Sequence, residues 1–215
     1  AFNAVLCVGK KVKPSLLGSN SIKITLNTPL SLIIIIFGLQ SLVNYTILLW
    51  IKSYYENLEY CHIENTHNIA TILLSLQLMS SYLIPQFLNQ IKNKLIPLGV
   101  LAGLLNISII LLCFLPISMF WIILIGLGVS TGAIFPLSMS LPIIFSNNIN
   151  QASSWFTTML FGGYLISSMG PLLFGLVLTL SSSYYWAISL LFTLSLALII
   201  AIYALNNFLK DSYVN

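Results

Sequence analysis

The run Ser31-Leu32-Ile33-Ile34-Ile35-Ile36-Phe37 decides how this chain folds. It is apolar on all sides, without the two-residue alternation of a barrel strand or the polar stripe of a helix lying on a water-soluble core. Leu190 to Ile202 reads the same way. Segments with no polar face belong in lipid, and in lipid a helix satisfies its own backbone hydrogen bonds. Composition extends this to the whole chain. Of its 215 residues 58% are hydrophobic and 6% charged, with a mean hydropathy of +1.00. A soluble domain carries about 25% charged residues, so this chain has too few solvated groups to cover a surface in water. A water-soluble enzyme is excluded first.

A helical crossing takes about 20 apolar residues. Six stretches qualify: about Ser31 to Ile51, Ile69 to Phe87, Leu95 to Leu115, Met119 to Phe145, Ser154 to Leu180, and Tyr185 to Asn206. The expected fold class is an all-α polytopic membrane protein with six transmembrane helices.

Orientation follows the lysines, because cytoplasmic loops retain Lys and Arg during insertion. With the N-terminal side inside, Lys10, Lys11, Lys13, Lys23, Lys92, Lys94 and Lys210 are all cytoplasmic and only Lys52 is outside. Trp50, Trp121 and Trp186 then sit at the outer ends of their spans, where an indole buries its ring and keeps its N–H wet. Both termini are expected in the cytoplasm. The formal charge of +4 comes without a single Arg, so it reports orientation rather than nucleic-acid binding. Cys7, Cys61 and Cys113 are too few and too widely spaced for a disulfide framework or a metal knuckle.

Ala1 to Val8 is apolar and runs into Lys10, Lys11 and Lys13, the reverse of a secretory signal, whose charges come first. It reads as the cytoplasmic end of a preceding span, and Gly9 to Pro29 as a cytoplasmic linker. Residues 1–30 are thus expected to be span end plus linker, 31–209 a six-helix membrane half, and 210–215 a cytoplasmic tail. The competing reading is a short, self-contained protein.

Moving a solute across lipid requires polar groups near the midplane to replace lost water. The first span offers Gln40, Ser41, Asn44 and Tyr45, which helical spacing puts on one face. Interhelical hydrogen bonding selects the same residue types. The second span adds Ser75, Gln77, Ser80 and Ser81, of which Gln77 is the strongest candidate. None of the six spans contains Asp, Glu, Lys, Arg or His, so they supply no evident group for proton coupling. Glycine and proline concentrate in the fourth and fifth spans: Gly126, Gly128, Gly132, Pro136 and Pro142, then Gly162, Gly163, Gly170, Pro171 and Gly175. Close helix packing with kinks accounts for them, as does gating.

Two motifs carry no chemistry. Gly128-Val129-Ser130-Thr131-Gly132 fits a G-x-S-x-G nucleophile elbow, but it lies inside an apolar helix, and the histidines, His62 and His67, lie in the loop after the first span. The same residues read as a G-x-x-x-G packing motif. Cys61, His62, Glu64 and His67 could ligate a metal, yet a solvated loop without a second cluster fits them better. No cofactor, metal or catalytic residue is expected.

Gly38-Leu39-Gln40-Ser41-Leu42 with Tyr45 and Trp50, Leu74-Ser75-Leu76-Gln77-Leu78, and Gly126, Gly128 and Gly132 before Phe135 come in a telling order. Gly163-Tyr164-Leu165-Ile166 and Gly170-Pro171-Leu172-Leu173-Phe174-Gly175 complete it. In this order the chain resembles the second half of a major facilitator superfamily transporter, more narrowly the cyanate and 2-nitroimidazole transporter branch, from about Ser31 to Leu209. The resemblance implies spans seven to twelve of a twelve-helix bundle in a bacterial-type cytoplasmic membrane. The solute cavity would lie against a second six-helix half and open by alternating access. It implies solute contacts from Gln40, Asn44, Tyr45, Gln77, Ser130 and Tyr164, and packing or gating roles for Gly126, Gly128, Gly132, Pro136, Gly163, Gly170, Pro171 and Gly175. The expected partners are a small solute, the bilayer and the N-terminal six-helix half. The alternative is a six-helix protein that oligomerises to form a pathway or a structural assembly.

Overall fold

The structure, a computed structural model, describes residues 27–57, 68–88, 91, 93–114 and 120–214, with 209–214 as backbone only. Readings that rest on Cys7, Lys10, Lys11, Lys13, Lys23, Glu59, Cys61, His62, Glu64, His67 or Lys92, or on the Lys210 side chain, lie outside the described residues. The expected division at residue 30 likewise falls mostly there.

Six helices follow one another: α1 (Thr28–Asn57), α2 (Ile69–Leu88), α3 (Leu95–Phe114), α4 (Phe120–Phe145), α5 (Ile149–Ser181) and α6 (Tyr184–Val214). All six are long and apolar enough to cross a membrane, and no strand occurs among the described residues. The protein is an all-α polytopic membrane protein.

Three helices outrun the apolar stretches that announce them. The 30 residues of α1 span about 45 Å, well beyond a hydrocarbon layer of about 30 Å. Its last turns carry Lys52 and Glu56, paired at 3.5 Å. Helix α5 starts five residues before Ser154 because Asn148 caps it: Asn148 Oδ1 accepts the Gln151 N–H at 2.8 Å, and Gln151 Oε1 accepts the Asn147 N–H at 2.9 Å. Helix α6 continues to Val214, so the tail expected at 210–215 is mostly helical. Hydropathy marks the lipid-embedded part of a helix, whereas hydrogen bonding and caps set its length.

One end of the bundle is aromatic. Tyr54 Oη donates to the Leu112 carbonyl at 2.6 Å, and Ser53 Oγ and Tyr184 Oη share a hydrogen bond of 2.7 Å. Tyr54 and Tyr184 meet edge to face, and Tyr55 meets Phe120 likewise at 4.4 Å. These contacts join the C-terminal ends of α1 and α3 to the N-terminal ends of α4 and α6 at the level where an aromatic ring is half in lipid and half in water. At the other end Lys94 Nζ donates to the Leu88 carbonyl at 2.9 Å, a cation on the last turn of α2. Asn93 accepts the Leu95 N–H at 3.0 Å and donates to Asn206 Oδ1 at 3.3 Å, joining the start of α3 to α6.

The largest contacts relate two consecutive triplets, α1–α3 and α4–α6, by exchange. The most extensive contacts are α1 on α5 and α4 on α2, followed by α4 on α3 and α1 on α6. Exchanging α1 with α4, α2 with α5 and α3 with α6 turns each contact of these pairs into its mate. Each triplet has an odd number of crossings, so the two are inverted relative to each other. Glycine marks the equivalence: a Cβ on Gly38 of α1 would sit 2.9 Å from the Cβ of Ile166 on α5, and one on Gly128 of α4 would sit 2.6 Å from the Cβ of Leu76 on α2. In each case the first helix of one triplet lacks the side chain that would hold off the middle helix of the other.

Helices α2 and α5 are peripheral. Only 17% and 22% of their apolar windows are buried, against 56% or more for α1, α3 and α4. Helix α5 buries one stripe, Trp155, Met159, Gly163, Ser167, Gly170 and Phe174. Phe156, Leu160, Ile166, Val177 and Leu178 flank it half-buried, and the exposed positions include Tyr164 and Leu172.

Candidate functional site

Near the middle of the bundle, three helices converge on one glutamine. Gln77 of α2 is buried, and its Nε2 donates to Asn44 Oδ1 of α1 at 2.8 Å and to Thr131 Oγ1 of α4 at 3.0 Å. Glycine makes the approach possible. A Cβ on Gly132 would lie 2.7 Å from the Gln77 Cα and against its carbonyl oxygen, so α2 and α4 touch backbone to backbone here. Pro136 has no N–H, so the Gly132 carbonyl lacks its helical donor beside the same crossing. The triad joins the first and second helices of one triplet to the first helix of the other, at the boundary between the inverted units.

A second polar pair lies toward the open side. Tyr45 of α1 and Tyr164 of α5 lie close enough to interact electrostatically, and both remain about two-fifths exposed. Phe37 backs Tyr164, with ring centroids 5.5 Å apart in an edge-to-face contact, and also meets Phe135 of α4 at 5.9 Å. Phe37 is itself seated on Gly163, where a Cβ would collide with its ring.

Gln40 is buried one turn before Asn44. Its Nε2 donates to Ser41 Oγ at 3.0 Å, and its Oε1 is the buried side-chain oxygen that finds no partner among the described residues. An amide oxygen left bare in a low-dielectric interior costs about 1–3 kcal/mol. Such an atom is an acceptor waiting for a donor.

The residues predicted from sequence therefore separate. Asn44 and Gln77 come together, as do Tyr45 and Tyr164, while Gln40 faces inward with Ser41. Ser130 joins neither group: its hydroxyl donates to the Gly126 and Leu127 carbonyls of its own helix at 2.7 and 3.1 Å. The hydroxyl that meets Gln77 belongs to the next residue, Thr131. Gln40, Ser41, Asn44 and Tyr45 share one broad face of α1, an arc of about 140°. Two of them enter the interior and two turn toward α2 and α5.

The small residues act at helix contacts. Gly170 meets Thr46 and Leu42, Gly162 meets Ile34, Gly175 meets Trp50, and Gly126 meets Ser108. Pro136, Pro142 and Pro171 all lie inside continuous helices. Trp50 Nε1 donates to the Pro171 carbonyl at 3.4 Å, and its ring lies on Phe174 with centroids 5.4 Å apart. One further polar contact was not foreseen from sequence. Asn106 of α3 donates to Ser195 Oγ of α6 at 2.6 Å. An amide in the middle of an apolar run was the signal.

Chemically, this site can accept and donate neutral hydrogen bonds. Among the described residues no group of three or more His, Cys, Asp or Glu side chains could hold a metal. No protein-family model matches the chain, and no curated protein matches it.

Proposed function

We propose that this chain is the six-helix half of a secondary transporter of the major facilitator type, moving a small uncharged solute by alternating access without altering it covalently. One observation carries the reading: the Asn44–Gln77–Thr131 triad lies at mid-bundle where two inverted three-helix units meet. Inverted repeats with the site at their interface are the architecture by which many transporters present one site to two sides in turn.

The chemistry of the site supports an uncharged solute. The bare Gln40 oxygen and the Gly132 carbonyl call for N–H or O–H donors on the solute. No ionisable Asp, Glu, Lys, Arg or His in the spans would pair with an anion such as cyanate. Of the two solutes that the family resemblance suggests, 2-nitroimidazole, with its ring N–H, is the better first probe.

The open faces of α2 and α5 support a second six-helix unit across the cavity, from the same polypeptide or a second copy. With the lysine distribution, the Lys94 end faces the cytoplasm and the aromatic end faces outward.

The test is uptake of labelled 2-nitroimidazole by proteoliposomes holding the full-length protein. Saturable uptake that falls about tenfold or more in Gln77→Ala, equivalent to about 1.4 kcal/mol, and survives in Ser130→Ala is expected. Equal uptake by wild type, Gln77→Ala and empty liposomes counts against the proposal.

A further inference from the structure

At the aromatic end, a crevice opens between α3 and α6. It has two lobes that share Cys113, Tyr185 and Ile188 as a common wall, one of about 280 Å³ and one of about 380 Å³. The smaller lobe runs toward mid-bundle between Ile109, Ile110 and Phe192 and is almost wholly apolar. The larger lobe opens at the end of the bundle beside Asn57, Ser182 and Ser183. The side-chain polar groups of these three residues and of Tyr185 make no hydrogen bond to another described residue. From Tyr185 to Phe192 the crevice follows α6 for about 10 Å, most of one leaflet of a hydrocarbon layer about 30 Å thick.

We infer that this crevice is a binding site for a single bilayer lipid. One acyl chain occupies the lobe walled by Ile109 and Phe192, and an uncharged or zwitterionic head group bonds to Asn57, Ser182 and Ser183. The polarity of the crevice changes along the membrane normal in the same order as the polarity of a lipid. Together the two lobes fall in the size range of small-molecule sites, about 300–1,000 Å³, which likewise combine apolar walls with a few placed polar groups. A protein helix is a poorer fit: at about 10–12 Å across with its side chains, 10 Å of it fills about 800 Å³, more than either lobe holds. An anionic head group gains nothing specific: no charged side chain is among the described lining residues, and nearby Lys52 is paired with Glu56. The site lies on the α3–α6 side, away from the Gln77 triad. It rests on the membrane reading of the fold and not on transport.

The experiment uses the full-length protein in phosphatidylcholine vesicles doped with a phosphatidylcholine that carries a photoactivatable diazirine on its acyl chain. After irradiation, peptide mass spectrometry maps the adducts. Adducts on Ile109–Phe114 and Tyr185–Phe192 should exceed, per residue, those on the exposed apolar positions Val100 of α3 and Ile200 of α6 several-fold. Ser189→Trp, which adds bulk to the crevice wall, should remove that excess while adducts at Val100 and Ile200 persist. Ile110→Trp serves the same purpose should the first variant fail to fold. An even spread of adducts over all exposed apolar faces, or an undiminished excess in the filled variants, overturns the inference. Both readouts are independent of uptake, so a failed transport assay leaves this result standing.

Discussion

Gln77 Nε2 donates to Asn44 Oδ1 at 2.8 Å and, from the same nitrogen, to Thr131 Oγ1 at 3.0 Å. This amide therefore ties three helices and both inverted units together. Interhelical hydrogen bonds in membrane proteins average about 0.6 kcal/mol and reach about 1.7, so Gln77→Leu should lower unfolding stability in mixed detergent by about 1 kcal/mol. Combined with Asn44→Ala, it should show a measurable coupling energy in a double-mutant cycle. Strict additivity would mean that the two amides do not interact.

Backbone contact at Gly132 makes a sharper forecast. A methyl there meets the Gln77 main chain, which cannot swing aside as a side-chain tip can, whereas a Cβ on Gly103 meets nothing within 4 Å. Gly132→Ala should destabilise by about 1–3 kcal/mol through overpacking. Gly103→Ala should be neutral or stabilise by up to about 1 kcal/mol through helix propensity. Thermal unfolding of the two variants side by side reads the difference directly.

The equivalence of the triplets can be tested in the same way. Gly38 seats Ile166 as Gly128 seats Leu76, so Gly38→Ala and Gly128→Ala should lower the melting temperature by similar amounts. A loss at only one of the two positions would argue against equivalent packing.

At the aromatic end, Trp50 makes one long hydrogen bond, 3.4 Å to the Pro171 carbonyl, and one broad contact with Phe174. The ring contact dominates. Trp50→Phe should cost less than about 1 kcal/mol, the scale of one ordinary hydrogen bond. Trp50→Ala should cost more, about 3 kcal/mol, the low end for removing a buried aromatic, because the ring is only partly buried. Chemical denaturation of both variants gives the comparison.

Much of the fold was legible in the sequence. Lipid selects for apolar runs so strongly that all six spans could be placed from hydropathy. The start of α5 could not, because Asn148 and Gln151 extend it by local hydrogen bonding, nor could the end of α1, where Lys52 and Glu56 pair beyond the apolar run. The site was legible in part. Residue type singled out Asn44 and Gln77, since amides are rare in lipid, but could not separate Ser130 from Thr131. The two hydroxyls are neighbours about 100° apart on one helix, and either can bond back to its own turn. Which one faces Gln77 depends on how α2 crosses α4 at Gly132, a tertiary fact with no local signature. The inverted pairing of the triplets was likewise invisible, because it resides in which helices touch.

On the proposed transport reading, the face holding Tyr45 and Tyr164 lines a cavity that opens to each side of the membrane in turn. The most direct measurement replaces every native cysteine, Cys7, Cys61 and Cys113 among them, with serine, introduces Tyr164→Cys in the full-length protein, and applies a membrane-impermeant thiol reagent to sealed vesicles from either side. The account predicts labelling from both sides in separate experiments. Modification by lipid-soluble reagents alone, with none from either aqueous side, would place Tyr164 against lipid and contradict it.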